Sequence, residues 1–301
     1  MFRKILPARA PWAIVLLCMV WCIASSAQYT QGKEPAGKSA GGGALTAKTV
    51  KTGLFVISGG GGNSLLRLSG NGLILVDGNF PSDYEAILKL ASRLSYSDQP
   101  IRILIDTDYH EDHTGNNAKF LAAGTQVIAH ENVKQNLTDY NPPGGKPAPP
   151  TKTYDHDITL RLGGIEAQII HFGNARTNGD SVVYFPNLKA VAVGDLFTPD
   201  TPDPDFSAGG SLVGWGPVLA EILKLDFDVA VPGTGPAITR ADLEGFKSKI
   251  DTVVSRATML VKKGVPKGEL MANLKTDDLG WRFRFTGDRL DRFYAELSRT
   301  K

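Results

Sequence analysis

From residue 53 onward, apolar residues fall into short runs, each closed by a turn rich in glycine, aspartate or asparagine. Runs at 53–57 (Gly-Leu-Phe-Val-Ile), 64–68 (Ser-Leu-Leu-Arg-Leu) and 73–76 (Leu-Ile-Leu-Val) are too short for helices. They predict consecutive antiparallel strands. Between 82 and 95 the period changes: Ile87, Leu88, Leu90, Ala91 and Leu94 share one helical face, with Ser82 or Asp83 available as N-cap. A buried-type strand is expected at 101–105, a short helix at 114–123 and another strand at 126–129. Five prolines within 141–150 exclude a regular helix or central strand and predict a surface loop. Strands resume at 158–162, 167–170, 181–185 and 190–193. Helices are expected at 211–223, 241–263 and 288–298, with a short strand at 229–231. That order suits two mixed sheets packed face to face with helices outside.

The first residues follow a different pattern. Arg3, Lys4 and Arg9 precede an apolar run at 12–23, short for a membrane span, and Ala24-Ser25-Ser26-Ala27 then offers small residues to a signal peptidase. We read 1–27 as a secretory signal peptide, the alternative being an uncleaved anchor. Trp21 before Cys22 is too bulky for a lipoprotein box. Residues 28–46 are small and polar and read as a flexible leader, leaving 47–301 as a single domain with a C-terminal helical segment. The expected location is outside the cytoplasm, periplasmic or secreted, with no membrane attachment after cleavage.

This division changes what composition means. The net charge of +2 carries three basic residues that lie before residue 28, so the chain beyond is slightly acidic. No Lys/Arg block interleaved with aromatics suggests nucleic acid as a partner. Both cysteines, Cys18 and Cys22, fall inside the leading segment, so the remaining chain has no thiolate for a metal, a disulfide or a nucleophile. At 42% hydrophobic and 21% charged, a chain of 301 residues can bury a large α/β core.

The chemistry concentrates after the strand at 101–105. Asp106-Thr107-Asp108-Tyr109-His110-Glu111-Asp112-His113-Thr114-Gly115-Asn116 places four potential ligands in six residues. The i, i+2 spacing puts Asp108, His110 and Asp112 on one side of an extended turn, with His113 opening the next helix. Imidazole and carboxylate together suit a divalent ion of the zinc, iron or manganese kind. The stretch is not a zincin helix, because Thr114 stands four residues after His110. Gly59 to Gly62 lacks the ending of a phosphate-binding P-loop and reads as a turn. No G-x-S-x-G elbow supports a serine hydrolase. Among the other histidines, His130 reads as scaffold and His156 as solvated, while His171 is the one spare imidazole placed to join a metal site.

These residues resemble the metallo-β-lactamase superfamily, whose members carry H-x-H-x-D-H followed by T-G-G-N; this chain reads D-x-H-x-D-H-T-G-N-N. The resemblance runs from about residue 53 to 249. It includes Asn63 after the glycine turn, Asp77-Gly78 at a strand end and Ala129-His130-Glu131-Asn132. It continues through Asn178-Gly179-Asp180-Ser181-Val182-Val183-Tyr184, Gly194-Asp195-Leu196-Phe197 and Pro232-Gly233-Thr234-Gly235-Pro236. It implies a four-layer αββα sandwich.

It also implies a ligand set, and the departures matter. The family's first metal takes the two histidines of H-x-H and the histidine of H-T-x-G-D; these positions are Asp108, His110 and Arg176 here. The second takes the Asp and His of D-H and the histidine of P-G-H-G, here Asp112, His113 and Thr234, and the bridging aspartate is Asp195. Asp108 can still coordinate, Thr234 is a poor neutral ligand, and Arg176 has no lone pair to offer. The expected metal residues are therefore Asp108, His110, Asp112, His113 and Asp195, with Asp112 as the catalytic candidate. At most one divalent ion is expected, zinc or, with so many carboxylates, iron or manganese, and none is the alternative. The function that follows is an exported hydrolase-like protein with a weakened one-metal site, acting on a lactam, lactone, thioester or other ester. The competing reading is a metal-free pseudoenzyme that keeps the cleft and binds a small molecule. The sequence leaves the oligomeric state open. It also suggests that Arg176 pairs with Asp108 where the first metal would sit and neutralises Asp195 or Asp112 as well, the alternative being an outward-turned Arg176 with Asp108 solvated, and that 141–150 and 202–215 border the cleft.

Overall fold

The computed structural model describes residues 44–95 and 98–299; the expected signal peptide and nearly all of the leader lie outside them. The first sheet holds β1 (Thr46–Lys51), β2 (Leu54–Ser58), β3 (Asn63–Ser69), β4 (Gly72–Val76), β5 (Ile101–Ile105), β6 (Gln126–His130) and β7 (Lys152–Tyr154), in that spatial order. Its first four strands pair antiparallel through tight turns. From β4 to β7 the pairing is parallel, with α1 (Tyr84–Ser95), α2 (Glu111–Thr114), α3 (Asn117–Ala122) and α4 (Glu131–Asn136) in the crossovers. The second sheet runs β13 (Ile238–Thr239), β12 (Val229–Pro232), β11 (Ala190–Gly194), β10 (Val182–Phe185), β9 (Ile165–Ile170) and β8 (Asp157–Leu162). Its helices are α5 (Leu212–Ile222), α6 (Arg240–Lys262), α7 (Leu270–Asn273) and α8 (Gly287–Arg299).

Side-chain alternation makes the four layers. In β4, Ile74 and Val76 face the second sheet, while Leu73 and Leu75 face α1 and α3. In β10, Val183 and Phe185 face the first sheet, and Val182 and Tyr184 face the other helices. Both faces of these strands are buried, so their sequences read as near-continuous apolar runs. On the far side, Leu243, Phe246, Ile250, Val253 and Ala257 form the buried stripe of α6, and Phe293 and Leu297 anchor α8 one turn apart. Trp281, Phe283 and Phe285 fill the space between them with edge-to-face aromatic contacts. The fold is the αββα sandwich implied by the sequence.

Short elements at α4, β7, β13 and α7 were not expected, and two further departures bear on the site and the sheet edge. The helix expected at 114–123 is two helices, α2 and α3, broken at Gly115-Asn116, and it begins earlier, at Glu111. The break has a partner: the Asn116 side-chain amide donates to Gly78 O at 2.8 Å and Phe80 O at 2.6 Å, tying the two loops together. Strand β1 was not expected, because its burial pattern follows no alternation at an edge of the sheet.

Candidate metal centre

Four strand ends and one loop meet at one rim of the sandwich. β4 runs into Asp77, β5 into Asp106-Thr107-Asp108, β11 into Asp195 and β12 into Gly233-Thr234, while the β9–β10 connection supplies Arg176. α2 then carries Asp112 and His113, with His110 at its N-cap. Gly194 turns at φ 50°, a conformation that favours glycine, and a Cβ there would stand 2.5 Å from Thr107 Oγ1, so glycine lets β11 pass close to Thr107 just before Asp195. Ligand atoms of Asp112, His113 and Asp195 lie within 4.8 Å of one another, and so do those of Asp108, His110 and Asp195.

His113 is the centre of the second position. Its Nδ1 lies 3.0 Å from Asp77 Oδ2. Asp77 is itself fixed by the Thr107 backbone N–H at 2.8 Å and the Thr107 hydroxyl at 2.9 and 3.0 Å. With Nδ1 committed, Nε2 is the nitrogen left to act. It is buried and makes no hydrogen bond. Three carboxylate oxygens surround it instead, from Asp195 at 3.5 Å, Asp108 at 3.7 Å and Asp112 at 3.8 Å. Ligands each about 2.1 Å from a tetrahedral ion stand about 3.4 Å apart, so each oxygen stands from Nε2 at nearly the separation of two ligands on one ion. Burial opposes a charge on His113, but Asp108, Asp77 and Asp112 outweigh it and raise the pKa well above the usual histidine value. In the absence of another cation a proton fills the role. An orphaned imidazole nitrogen facing three carboxylates suits a divalent ion at this position.

The first position is different. Asp108 Oδ1 accepts the His110 backbone N–H at 2.7 Å, and Asp108 Oδ2 lies 3.0 Å from His110 Nδ1. The other ring nitrogen, Nε2, faces Asp205 Oδ2 at 3.4 Å. That oxygen also accepts the Tyr109 hydroxyl at 2.5 Å. Burial disfavours the His110 cation, yet Asp108 and the bonds to both carboxylates push its pKa up to about 9. Both nitrogens are thus engaged by acids, and an ion here would have to displace one of them. Arg176 completes the closure: its Nε lies 3.6 Å from Asp195 Oδ2, and its Nη1 donates to Asp203 O at 2.6 Å. These residues do not suit a second metal ion.

Two sequence expectations need correction here. Arg176 pairs with Asp195, one of the further partners expected for it, but not directly with Asp108, which is held by His110 and reaches Arg176 only through its longer-range field. His171 donates Nδ1–H to Asp180 O at 2.7 Å and stacks on His130, with ring centroids 4.0 Å apart. Among the described residues it belongs to neither cluster of potential ligands. His156 is exposed. Thr234 is half-buried in the turn after β12, beside Gly61, Gly62 and Asn63. That turn is stapled to the glycine loop by Asn63, whose amide donates to Pro232 O and Gly235 O, both at 2.8 Å.

Three residues of the site escaped the sequence reading. Asp77 was visible only as a strand-end Asp-Gly, and Tyr109 as a spacer within the motif. Asp205 sits far along the chain, within the segment expected to border the cleft. The proline-rich loop also reaches this rim: Ala148 O accepts from the Asn117 amide at 3.1 Å, and Gly144 lies against the Glu111 carboxylate.

A family model described as the metallo-beta-lactamase superfamily matches residues 57–234. The 2,4-dinitroanisole O-demethylase subunit alpha of Nocardioides sp. (strain JS1661) is 27% identical over 225 residues, which are 73% of this chain and 67% of that protein. Among solved structures, a metallo-beta-lactamase from Pontibacter korlensis superposes with a TM-score of 0.60 at 19% identity, covering 69% of this chain and 99% of that one. FIM-1 from Pseudomonas aeruginosa, in a mono-zinc form, gives 0.59 at 19% identity, covering 69% and 95%. These structural likenesses speak for the fold alone.

Proposed function

The chain belongs to the metallo-beta-lactamase superfamily, and from that premise we propose that it is a hydrolase working with a single divalent ion held by Asp112, His113 and Asp195. The observation that carries this reading is the buried, unbonded Nε2 of His113 inside a ring of carboxylate oxygens. A divalent ion there would supply Lewis acidity and a water acidic enough to lose its proton near neutral pH. The chain's own residues do the rest. Asp77 sets the His113 tautomer and presents Nε2. Asp112, whose Oδ2 is 3.8 Å from that nitrogen, is placed both to ligate and to hold the proton of an attacking water. With one imidazole and two carboxylates, the set favours iron or manganese at least as much as zinc.

The substrate class is a small molecule with an ester-like bond, namely a lactam, lactone, thioester or other ester. The O-demethylase relative adds an activated aryl methyl ether. Its name marks it as one subunit of an assembly, which makes the oligomeric state worth measuring alongside activity. The test is turnover of this panel by metal-loaded protein and by His113→Ala. Hydrolysis of at least one class, lost in the variant, supports the reading, and no turnover of any class contradicts it. A metal-free binding protein is the second reading, favoured by the closed first position and by Thr234 in place of a strong ligand. Export of the chain rests on the pattern of residues 1–27; N-terminal sequencing of secreted or periplasmic protein should start near Gln28, and an intact Met1 on membrane-bound product would overturn it.

A further inference from the structure

Arg176 stands at a position where the resemblance implies a metal-ligating histidine, and its surroundings explain the exchange. The side chain is only 17% exposed. Its Nε faces the Asp195 carboxylate, its Nη1 is anchored on Asp203 O, and Asp108, Asp203 and Asp180 add their negative fields. The backbone fixes the same residue, because Arg176 O accepts the Asp205 N–H at 2.7 Å. A guanidinium so surrounded stays charged at every working pH. It brings one positive charge, not two, and cannot exchange into solvent as an ion can. Meanwhile His110 lies between Asp108 and Asp205, so the remaining carboxylates of this position already have a partner.

We propose that the Arg176 guanidinium is the permanent cation of the first metal position, holding Asp195 in place for the second position and closing the first to any metal ion. The proposal rests on the family reading of the site but not on activity. It makes Arg176 a positioning residue: it acts on the second position only through Asp195.

Two measurements test it. In metal-free protein, a double-mutant cycle on unfolding combines Arg176→Met with Asp195→Asn. Each single change leaves an uncompensated partner, so the double variant should be more stable than the sum of the two losses predicts. Additive losses would overturn the pairing. The second measurement is cobalt(II) titration followed by its visible absorption. Wild type should saturate at no more than one ion per chain. Asp108→His combined with Arg176→His frees His110 Nδ1 and supplies two imidazoles, and it should take up one further ion. Two ions in wild type, or no added ion in a folded double-histidine variant, would overturn the proposal. Wild type that binds no cobalt would defeat the one-metal hydrolase reading while leaving the cycle as the test of Arg176. If Arg176→Met does not fold, the neutral Arg176→Gln replaces it in the cycle, and Arg176→Lys, which keeps the charge, should lose less stability than Arg176→Gln.

Discussion

Asp77 Oδ2 stands 3.0 Å from Nδ1 of His113, and it does so from a left-handed backbone position at φ 62°. Aspartate tolerates that conformation better than most residues. The geometry lets one carboxylate take the Thr107 N–H, the Thr107 hydroxyl and the imidazole together. Removing such an outer partner of a metal-binding histidine weakens metal affinity by about 10–100-fold. Asp77→Ala should therefore lose affinity on that scale in competition with a chromophoric chelator. Asp77→Asn, which retains an acceptor, should lose less. Equal affinity in Asp77→Ala and wild type would mean that the pair does not orient the ring.

Gly233→Ala provides a steric test of the same centre. A Cβ at this position would stand 2.6 Å from Asp195 Oδ1 and 3.0 Å from His113 Cε1. The methyl group must push the Asp195 carboxylate or the ring out of line, and a misplaced ligand costs about tenfold or more in affinity. Metal affinity should fall while the metal-free protein unfolds within a few degrees of wild type. Unchanged affinity would place the ion elsewhere.

Asp180 gives the pH dependence. It is fully buried, and burial first, then the charge of Asp108, lift its pKa from 3.8 to about 7 against the bonds it accepts from Thr177. A carboxyl group raised on folding binds more protons folded than unfolded, so its contribution to stability falls as pH rises from about 4 to about 7. Asp180→Asn removes this titration. In urea unfolding at pH 4.5 and pH 7, wild type should lose stability relative to Asp180→Asn as pH increases. A difference that does not change with pH would show that Asp180 is ionised throughout.

Much of this was legible in the sequence because its causes are local. Doubly buried strands such as β4 and β11 announce themselves as apolar runs, and α6 by its period. β1, Thr-Ala-Lys-Thr-Val-Lys, carries no such signal, since an edge strand with mostly exposed positions can be polar on either face. The cluster of acids and histidines was legible because Asp108, His110, Asp112 and His113 fall within six residues. Partner choice was legible only in part, since Asp195 was one of several acids offered to Arg176. Asp108 reads as a free acid that could meet Arg176, but a carboxylate two residues before a backbone N–H is captured locally, and His110 takes both its oxygens. That leaves Arg176 to Asp195, a pairing set by how β11 and the β9–β10 loop converge. Asp77 and Asp205 come from distant elements, and only the assembled rim reveals their roles.

Tyr109 offers a check on that rim away from the metal. Its hydroxyl donates to Asp205, the acid that faces His110 Nε2, in a part-buried bond. Deleting a hydrogen bond to a charged group costs about 1.5–3 kcal/mol, so Tyr109→Phe should be destabilised by about that much in chemical denaturation. Its metal stoichiometry should not change, because the bond serves the first position. A neutral substitution would mean that Asp205 finds an equal partner without the phenol.

Where the ion binds is read most directly from the metal content of untagged protein, wild type beside His113→Ala. We predict one ion per chain in wild type and none in a folded His113→Ala variant, since Nε2 is the nitrogen that the site leaves open. Two tightly held ions in wild type, or one ion retained without His113, would contradict it.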